Sequence, residues 1–176
     1  MSAATTPIVE TARLRLREFR HDDLDELAAM VADRDQMTFY PRPKTRAEAA
    51  AWISRNLALY EQCGLGFWRI ESLQTSEFLG YCGIRPLTLE GASETEIGWH
   101  TKKTMWRQGF ATEAASAARD VAFGRFGLSR LVAVIHPNHV ASRRVAENIG
   151  MRAEDAVVLD GYPVVIYATR AAASPG

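Results

Sequence analysis

The stretch Trp106-Arg107-Gln108-Gly109-Phe110-Ala111-Thr112-Glu113-Ala114 joins a short basic loop to a glycine at the mouth of a helix. The first N–H groups of a helix lack intrahelical acceptors, so they bind anions, and a glycine lets a phosphate come close to the backbone. Lys102, Lys103 and Arg107 add positive charge there. The chemistry on offer is a cradle for a pyrophosphate. The same residues also read as a plain helix cap with surface cations. Neither GxGxxG nor GxxxxGK(S/T) is present, which excludes the dinucleotide and P-loop versions of such a cradle. His136 and His139 stand three apart without a third ligand, so they do not amount to a zinc site, and no metal is expected.

The fold that must position these groups is bounded by composition. The 176 residues, 47% hydrophobic and 24% charged, are enough for one domain with a packed core. That domain is expected to span 1–176, with the ends 1–7 and 171–176 frayed. With 21 basic and 21 acidic residues the formal charge is zero, so no global field draws nucleic acid or an anionic membrane. Cys63 and Cys82 cannot make a disulfide framework and read as two small buried hydrophobes. No apolar run approaches the roughly 20 residues of a membrane span, and Met1 to Pro7 lacks the plan of a signal peptide. A reducing cytoplasm is the expected setting. Monomer and homodimer both stay open.

Periodicity gives the elements. Arg13-Leu14-Arg15-Leu16-Arg17 alternates as a strand with leucines inward and arginines on a solvated face. His21-Asp22-Asp23 opens a helix with Leu24, Leu27, Ala28 and Val31 on its apolar side. Pro41 and Pro43 break the chain, and Thr45 to Glu48 forms a capping box for a second helix carrying Ala49, Trp52, Ile53, Leu57 and Tyr60. Strands follow at Phe67 to Ser72, Phe78 to Pro86 and Glu94 to His100, with short turns that favour antiparallel pairing. A helix from Ala111 to Phe126 has a small-residue stripe. Ser129 to Ile135 reads as a central buried strand, and Asn138 as the N-cap of a helix ending at Gly150. Asp160-Gly161 marks a final hairpin between Ala156 to Leu159 and Tyr162 to Thr169. The order β-α-α-β-β-β-α-β-α-β-β predicts an α+β fold. Its mixed, mostly antiparallel sheet has about six or seven strands, with helices on both faces and one parallel pair.

Four segments together resemble the GCN5-related N-acetyltransferase (GNAT) superfamily. Residues 106–114 are similar to its acetyl-CoA motif Q/R-x-x-G-x-G/A, and Trp106, in place of Gln or Arg, points to the RimJ/RimL-type branch with W-x-x-G-Y/F-A-T-E-A. Thr11 to Arg17 resembles that branch's T-x-R-L-x-L-R, and Glu96-Ile97-Gly98-Trp99 its E-I/L-G-Y/W strand. Asn138 to Ser142, then Glu147 to Met151, resembles its N-x-x-S/A and E-K/N-L/I-G-F/M segments.

The resemblance implies acetyl-CoA as cosubstrate, a primary amine as acceptor (a protein N-terminus or a small molecule), and direct attack without an acyl-enzyme. It implies that backbone of Trp99, His100 and Thr101 meets pantetheine. Backbone of Arg107, Gln108, Gly109, Phe110, Ala111 and Thr112 would hold the pyrophosphate. Glu96 is the candidate base, or else it orients the amine or pairs with an arginine. His100 is read as pointing to the opposite sheet face and is not favoured as the base. Asn138 and Ser142, four apart, are expected on one helix face toward the cofactor, with Ser142 as candidate acid. Arg143 or Arg144 would reach a phosphate or only Glu147. Tyr40, Trp68 and Tyr162 would line the acceptor side, or serve as ordinary packing. The competing function class is an acyl-CoA-binding module without turnover.

Overall fold

The computed structural model describes residues 6–172. Its elements run β1 (Val9–Glu10), β2 (Leu14–Arg17), α1 (Leu24–Ala32), α2 (Arg46–Cys63), β3 (Gly66–Ser72), β4 (Phe78–Leu89) and β5 (Ala92–Thr101). They continue with α3 (Phe110–Gly124), β6 (Arg130–Ile135), α4 (Val140–Asn148), β7 (Arg152–Leu159) and β8 (Tyr162–Arg170). One eight-stranded sheet has the order β1-β2-β3-β4-β5-β6-β8-β7. Every neighbouring pair is antiparallel except β5 and β6. The expected α+β class and order hold. The strand beyond the expected six or seven is the two-residue β1, too short to show a period.

Alternation along the strands builds two different layers. One face carries Leu14, Leu16, Trp68, Ile70, Cys82, Ile84, Ile97, Leu131 and Ala133, all buried under α3 with its stripe Ala114, Ala115, Ala118 and Ala122. Alanines let the α3 backbone approach the sheet closely. The other face packs Phe78 against α1 and α2 through Leu27, Ala28, Val31, Ala49 and Ile53. The capping box of Thr45 and Glu48 forms as expected, and Gly64 ends α2 in a left-handed conformation at φ 72°. Asp160 and Gly161, at φ 49° and 83°, supply the two left-handed residues of a tight hairpin between β7 and β8.

Three local expectations are corrected. Arg17 does not stand on a solvated face. It donates to both Asp23 oxygens (2.9 and 2.8 Å) and to Glu71 (2.9 Å), joining a buried network with Arg69, which sits 2.8 Å from Glu71. Arg69 Nη1 also lies 2.7 Å from Glu26 Oε2, tying α1 to β3. Cys63 is exposed at the end of α2, whereas Cys82 is buried. Asn138 is not the N-cap of α4, because the helix begins one residue later and His139 Nδ1 accepts from Ser142 N at 3.4 Å. The expected fraying of 1–5 and 173–176 lies outside the described residues; Ala171 N, by contrast, donates to Ser129 O at 3.0 Å.

Burial opposes ionisation of Asp23, but hydrogen bonds from Arg17 and from the Arg20 backbone, and the nearby Arg69 charge, hold its carboxyl below the usual carboxylate range. A carboxyl with a depressed folded pKa stabilises fully above its unfolded pKa, and loses that contribution as pH falls through the folded value. Replacing Arg69 by Met leaves Asp23, Glu26 and Glu71 with one cation fewer. The expected cost is about 3 kcal/mol in urea unfolding at neutral pH, shrinking in acid below the carboxylate range. An unchanged midpoint at neutral pH would refute this account.

Candidate active site

The parallel pair β5 and β6 shares a single ladder position, Glu96 opposite Val132. Beyond it, toward Thr101 and Ile135, β5 has no ladder partner on that side. A parting of strands in mid-sheet leaves backbone donors and acceptors open, which fits an extended amide-bearing molecule lying in the gap. Trp99 Nε1 is a buried donor without a partner on this stretch of β5. Part of the expected backbone edge is taken. The Thr101 carbonyl already accepts from Gln36 Nε2 (2.8 Å) and Trp106 Nε1 (3.0 Å), leaving Trp99 and His100 as its freer portion.

At the mouth of the gap lies the N-terminus of α3. Gly109 is its N-cap at φ 81° and no side chain caps it, so the N–H groups of Phe110, Ala111 and Thr112 keep no intrahelical acceptor. Arg107 is also left-handed, at φ 61°, and such residues curl a loop so that successive N–H groups converge on an anion. Its side chain is exposed. The charge expected from the two lysines is directed elsewhere. Lys102 pairs with Glu77 (3.3 Å), and Lys103 with Asp33 (2.8 Å) and Asp35 (3.2 Å).

The loop is instead pinned by residues that the motifs include but to which the sequence assigned no role. Glu113 accepts from Thr11 Oγ1 (2.5 Å), Arg13 N (3.0 Å) and Arg13 Nε (2.7 Å). Arg13 Nη1 then donates to the Gln108 carbonyl at 3.0 Å, and its guanidinium lies 4.3 Å from the Phe110 ring centroid. Partial burial disfavours the Glu113 charge, yet the Thr11 and Arg13 hydrogen bonds win and lower its pKa. The carboxylate in the first turn of α3 thus has a local role: it locks the N-terminal strand segment to the cradle.

On the α1–α2 face, strand pairing assembles a second group. Tyr81 is opposite His100 and Arg85 is opposite Glu96, with the glycine pair Gly83 and Gly98 between them. Phe67 fills that hollow; a Cβ on Gly98 would come within 2.8 Å of its ring. Arg85 Nε donates to Glu96 Oε2 at 2.5 Å. Residues 96 and 100 are four apart and share this face, so the expectation that His100 points away is corrected. His100 is buried, with Nδ1 3.2 Å from the Tyr81 hydroxyl and Nε2 2.8 Å from Gln36 Nε2. Burial pushes its pKa down to about 4, so it is neutral at physiological pH and has little affinity for a proton.

The loop between α1 and α2 closes over the gap. Tyr40 stacks on His100 (5.3 Å between centroids) while Phe39 stacks on His139 (4.1 Å), so adjacent residues rest on both sides of the parted strands. Of the three aromatics expected on the acceptor side, only Tyr40 is in this group. Trp68 is wholly buried on the opposite face of the sheet. Tyr162 is exposed at the start of β8, paired with Leu159, and has no described contact with Tyr40 or Glu96. Asn138 is exposed in the turn before α4, so it does not share a helix face with the half-buried Ser142. Arg143 is turned toward Tyr167 (2.9 Å) and the Pro137 carbonyl (3.2 Å) rather than a phosphate. Among the described residues no cluster of His, Cys, Asp and Glu has the makings of a metal site.

Residues 13–152 match the family profile of the acetyltransferase (GNAT) domain. The chain belongs to the GNAT acetyltransferase family. The GNAT chain is 34% identical to the uncharacterized protein YkkB of Bacillus subtilis, over 95% of its own length and 96% of that protein's. Its fold superposes on an acetyltransferase from Agrobacterium tumefaciens with a TM-score of 0.79 at 28% identity, covering 97% of this chain and 96% of that one. It also superposes on Mycobacterium smegmatis RimJ, solved with a CoA-disulfide, at TM-score 0.74 and 23% identity, covering 90% of this chain and 82% of that one. The fold that the motifs implied is therefore present in this GNAT domain.

Two changes test the site's construction. Glu113→Ala removes the acceptor of Thr11 and Arg13; because the pair is partly exposed, the expected loss in denaturant unfolding is about 1 kcal/mol. His100 has a folded pKa of about 4 against an ordinary 6.5, so the unfolded chain takes up a proton first as pH falls between these values. Stability from this group is therefore full above about 6.5 and declines toward 4, by up to about 3 kcal/mol. His100→Gln should flatten that part of the stability curve, and a wild-type curve already flat there would contradict the assignment.

Proposed function

We propose that this chain is an acetyl-CoA-dependent N-acetyltransferase whose acceptor is a primary amine attacked in a ternary complex. The observation that carries the reading is the single ladder pair between β5 and β6, with the uncapped α3 N-terminus at the mouth of the gap. Acetyl-CoA supplies an activated acetyl thioester. In this reading the N–H groups from Arg107 to Thr112 hold its pyrophosphate, and the β5 backbone at Trp99 and His100 aligns its amide arm. Open β5 N–H groups also polarise the acetyl carbonyl, worth most where water is excluded.

Glu96 stands at the point where the strands part. Arg85 holds one of its oxygens and leaves Oε1 with no described partner. That oxygen attracts the acceptor ammonium and takes its proton, directly or through a water. Ser142, in the first turn of α4, donates the proton to the leaving thiolate. Asn138, exposed beside it, is left to the pantetheine amides. His100, neutral and buried, positions Tyr40 and Tyr81 rather than moving a proton. A reducing, cytoplasmic setting suits the two free thiols, Cys63 and Cys82. No helix among the described residues is long and apolar enough to cross a membrane.

The test is release of free thiol from acetyl-CoA in the presence of a panel of primary amines and N-terminal peptides. Acetyl-CoA at about 100 times its Kd should stabilise the protein by about 2.7 kcal/mol. Gly109→Trp should abolish both the stabilisation and the release. Glu96→Gln should keep the stabilisation while kcat falls by about 10²- to 10⁴-fold. Stabilisation without any amine-dependent release would favour a binding module, and undiminished turnover in Glu96→Gln would remove Glu96 as the base.

A further inference from the structure

Gln36 follows α1 in a turn that fixes its place twice over. Its backbone N–H donates to Asp33 Oδ1 at 3.0 Å, and Asp33 also holds the Lys103 ammonium at 2.8 Å. The side chain is buried and reaches across to the end of β5. There Oε1 accepts from the Lys103 backbone N–H at 2.7 Å, and Nε2 donates to the Thr101 carbonyl at 2.8 Å. One backbone group only donates and the other only accepts, so the amide can be seated in a single orientation.

That orientation decides the state of His100. The second Nε2 hydrogen of Gln36 meets His100 Nε2 at 2.8 Å, so this ring nitrogen accepts and carries no proton. The Gln36 backbone carbonyl lies 3.2 Å from the same nitrogen. A proton on His100 Nε2 could serve that carbonyl only by facing the amide N–H, donor against donor. The neutral ring therefore keeps its proton on Nδ1, which donates to the Tyr81 hydroxyl at 3.2 Å. Both ring nitrogens are then engaged, one giving and one receiving.

The surroundings do not favour a second proton. Tyr40 stacks on the ring and Tyr81 meets it edge-on, and burial keeps both phenols neutral. His139, on which Phe39 stacks, opposes a further positive charge. Glu96, on the same strand face, is turned to Arg85 at 2.5 Å, and the Lys103 ammonium is turned to Asp33 and Asp35. Among the described residues no carboxylate hydrogen-bonds to His100.

We propose that Gln36 is a positioning residue for acetyl transfer: it holds His100 as the Nδ1–H tautomer with its lone pair occupied, so that the imidazole takes no proton from the acceptor amine and Glu96 alone does. This rests on the acetyltransferase reading above and deepens it. An imidazole on the same strand face as the reacting carboxylate is otherwise a competing base, because its ordinary proton affinity suits that task at neutral pH.

Proton–nitrogen correlation spectra of isotope-labelled protein read the tautomer directly, the His100 signals being those missing from His100→Gln. In the wild type they should show Nδ1 protonated and Nε2 bare, unchanged between about pH 5.5 and 8, in line with a folded pKa of about 4. Gln36→Glu offers Nε2 an acceptor in place of a donor. Its His100 midpoint should rise by at least about one pH unit, a tenfold gain in proton affinity. In the same variant, kcat/KM for amine-dependent thiol release from acetyl-CoA should acquire a step at that midpoint. Gln36→Leu removes the amide donor without adding charge, so the ring proton should move to Nε2 and serve the backbone carbonyl of residue 36; this variant stands in should Gln36→Glu not fold. A wild-type ring protonated on Nε2, His100 signals unmoved in both Gln36 variants, or a pH–rate profile of wild-type shape in Gln36→Glu while His100 titrates within it would each overturn the proposal. The acetyltransferase reading fails separately, through absence of thiol release by the wild type with any amine, whereas the tautomer is read without acetyl-CoA.

Discussion

Two parallel strands that pair at one position and then part are the constraint around which this fold is arranged. A sheet does not leave backbone groups open at its centre without reason, because each unpaired buried group costs about 1–3 kcal/mol. The gap after Glu96 and Val132 is held open by what flanks it. On one side β5 is bound to β4 along its length, on the other β6 is bound to β8, and neither can relax toward the other without breaking those ladders. Glu96 sits at the fork because it belongs to the last residues that both strands share.

The anchors that keep the fork's surroundings in place are ionic and mostly hidden. Arg17, Asp23, Arg69 and Glu71 fix the start of α1 to β2 and β3 on one face. Glu113 fixes the segment before β2 to the first turn of α3 on the other. The N-terminal strand thus serves both layers. Its arginines look alike in sequence and do different work: Arg13 steadies a loop, while Arg17 is neutralised inside the protein.

The order of elements was legible because helix caps, turn residues and hydrophobic period agreed almost everywhere. Thr45 with Glu48, Gly64 and Asp160-Gly161 all appear where local chemistry puts them. The cradle at 106–114 was legible for the same reason, being one continuous segment. The parts that escaped depend on partners distant in sequence. That Lys102 and Lys103 turn away from the cradle depends on Glu77, Asp33 and Asp35. That Arg85 meets Glu96 and Tyr81 meets His100 follows only from the β4–β5 register. Counting residues along β5 would have placed His100 on the same side as Glu96, since four is an even step. Trp68 was misplaced because an aromatic residue in a strand says nothing of which face it takes until a neighbouring strand is set. Asn138 was a sound cap by type, yet the imidazole of His139 fills that role.

Phe39 and Tyr40 rest on His139 and His100, rings that belong to α4's start and to β5. Lys44 N then returns the chain to α1 at the Val31 carbonyl. The segment from Met37 to Lys44 is therefore a module. It supplies Met37, Tyr40 and Lys44 to one wall of a hollow of about 290 Å³ between α1, α2 and β4. Exchange of this short segment alters the shape and charge of that wall while the sheet beneath stays as it is. In a lineage that keeps one transfer chemistry and changes what it modifies, this segment can diverge without the sheet being rebuilt.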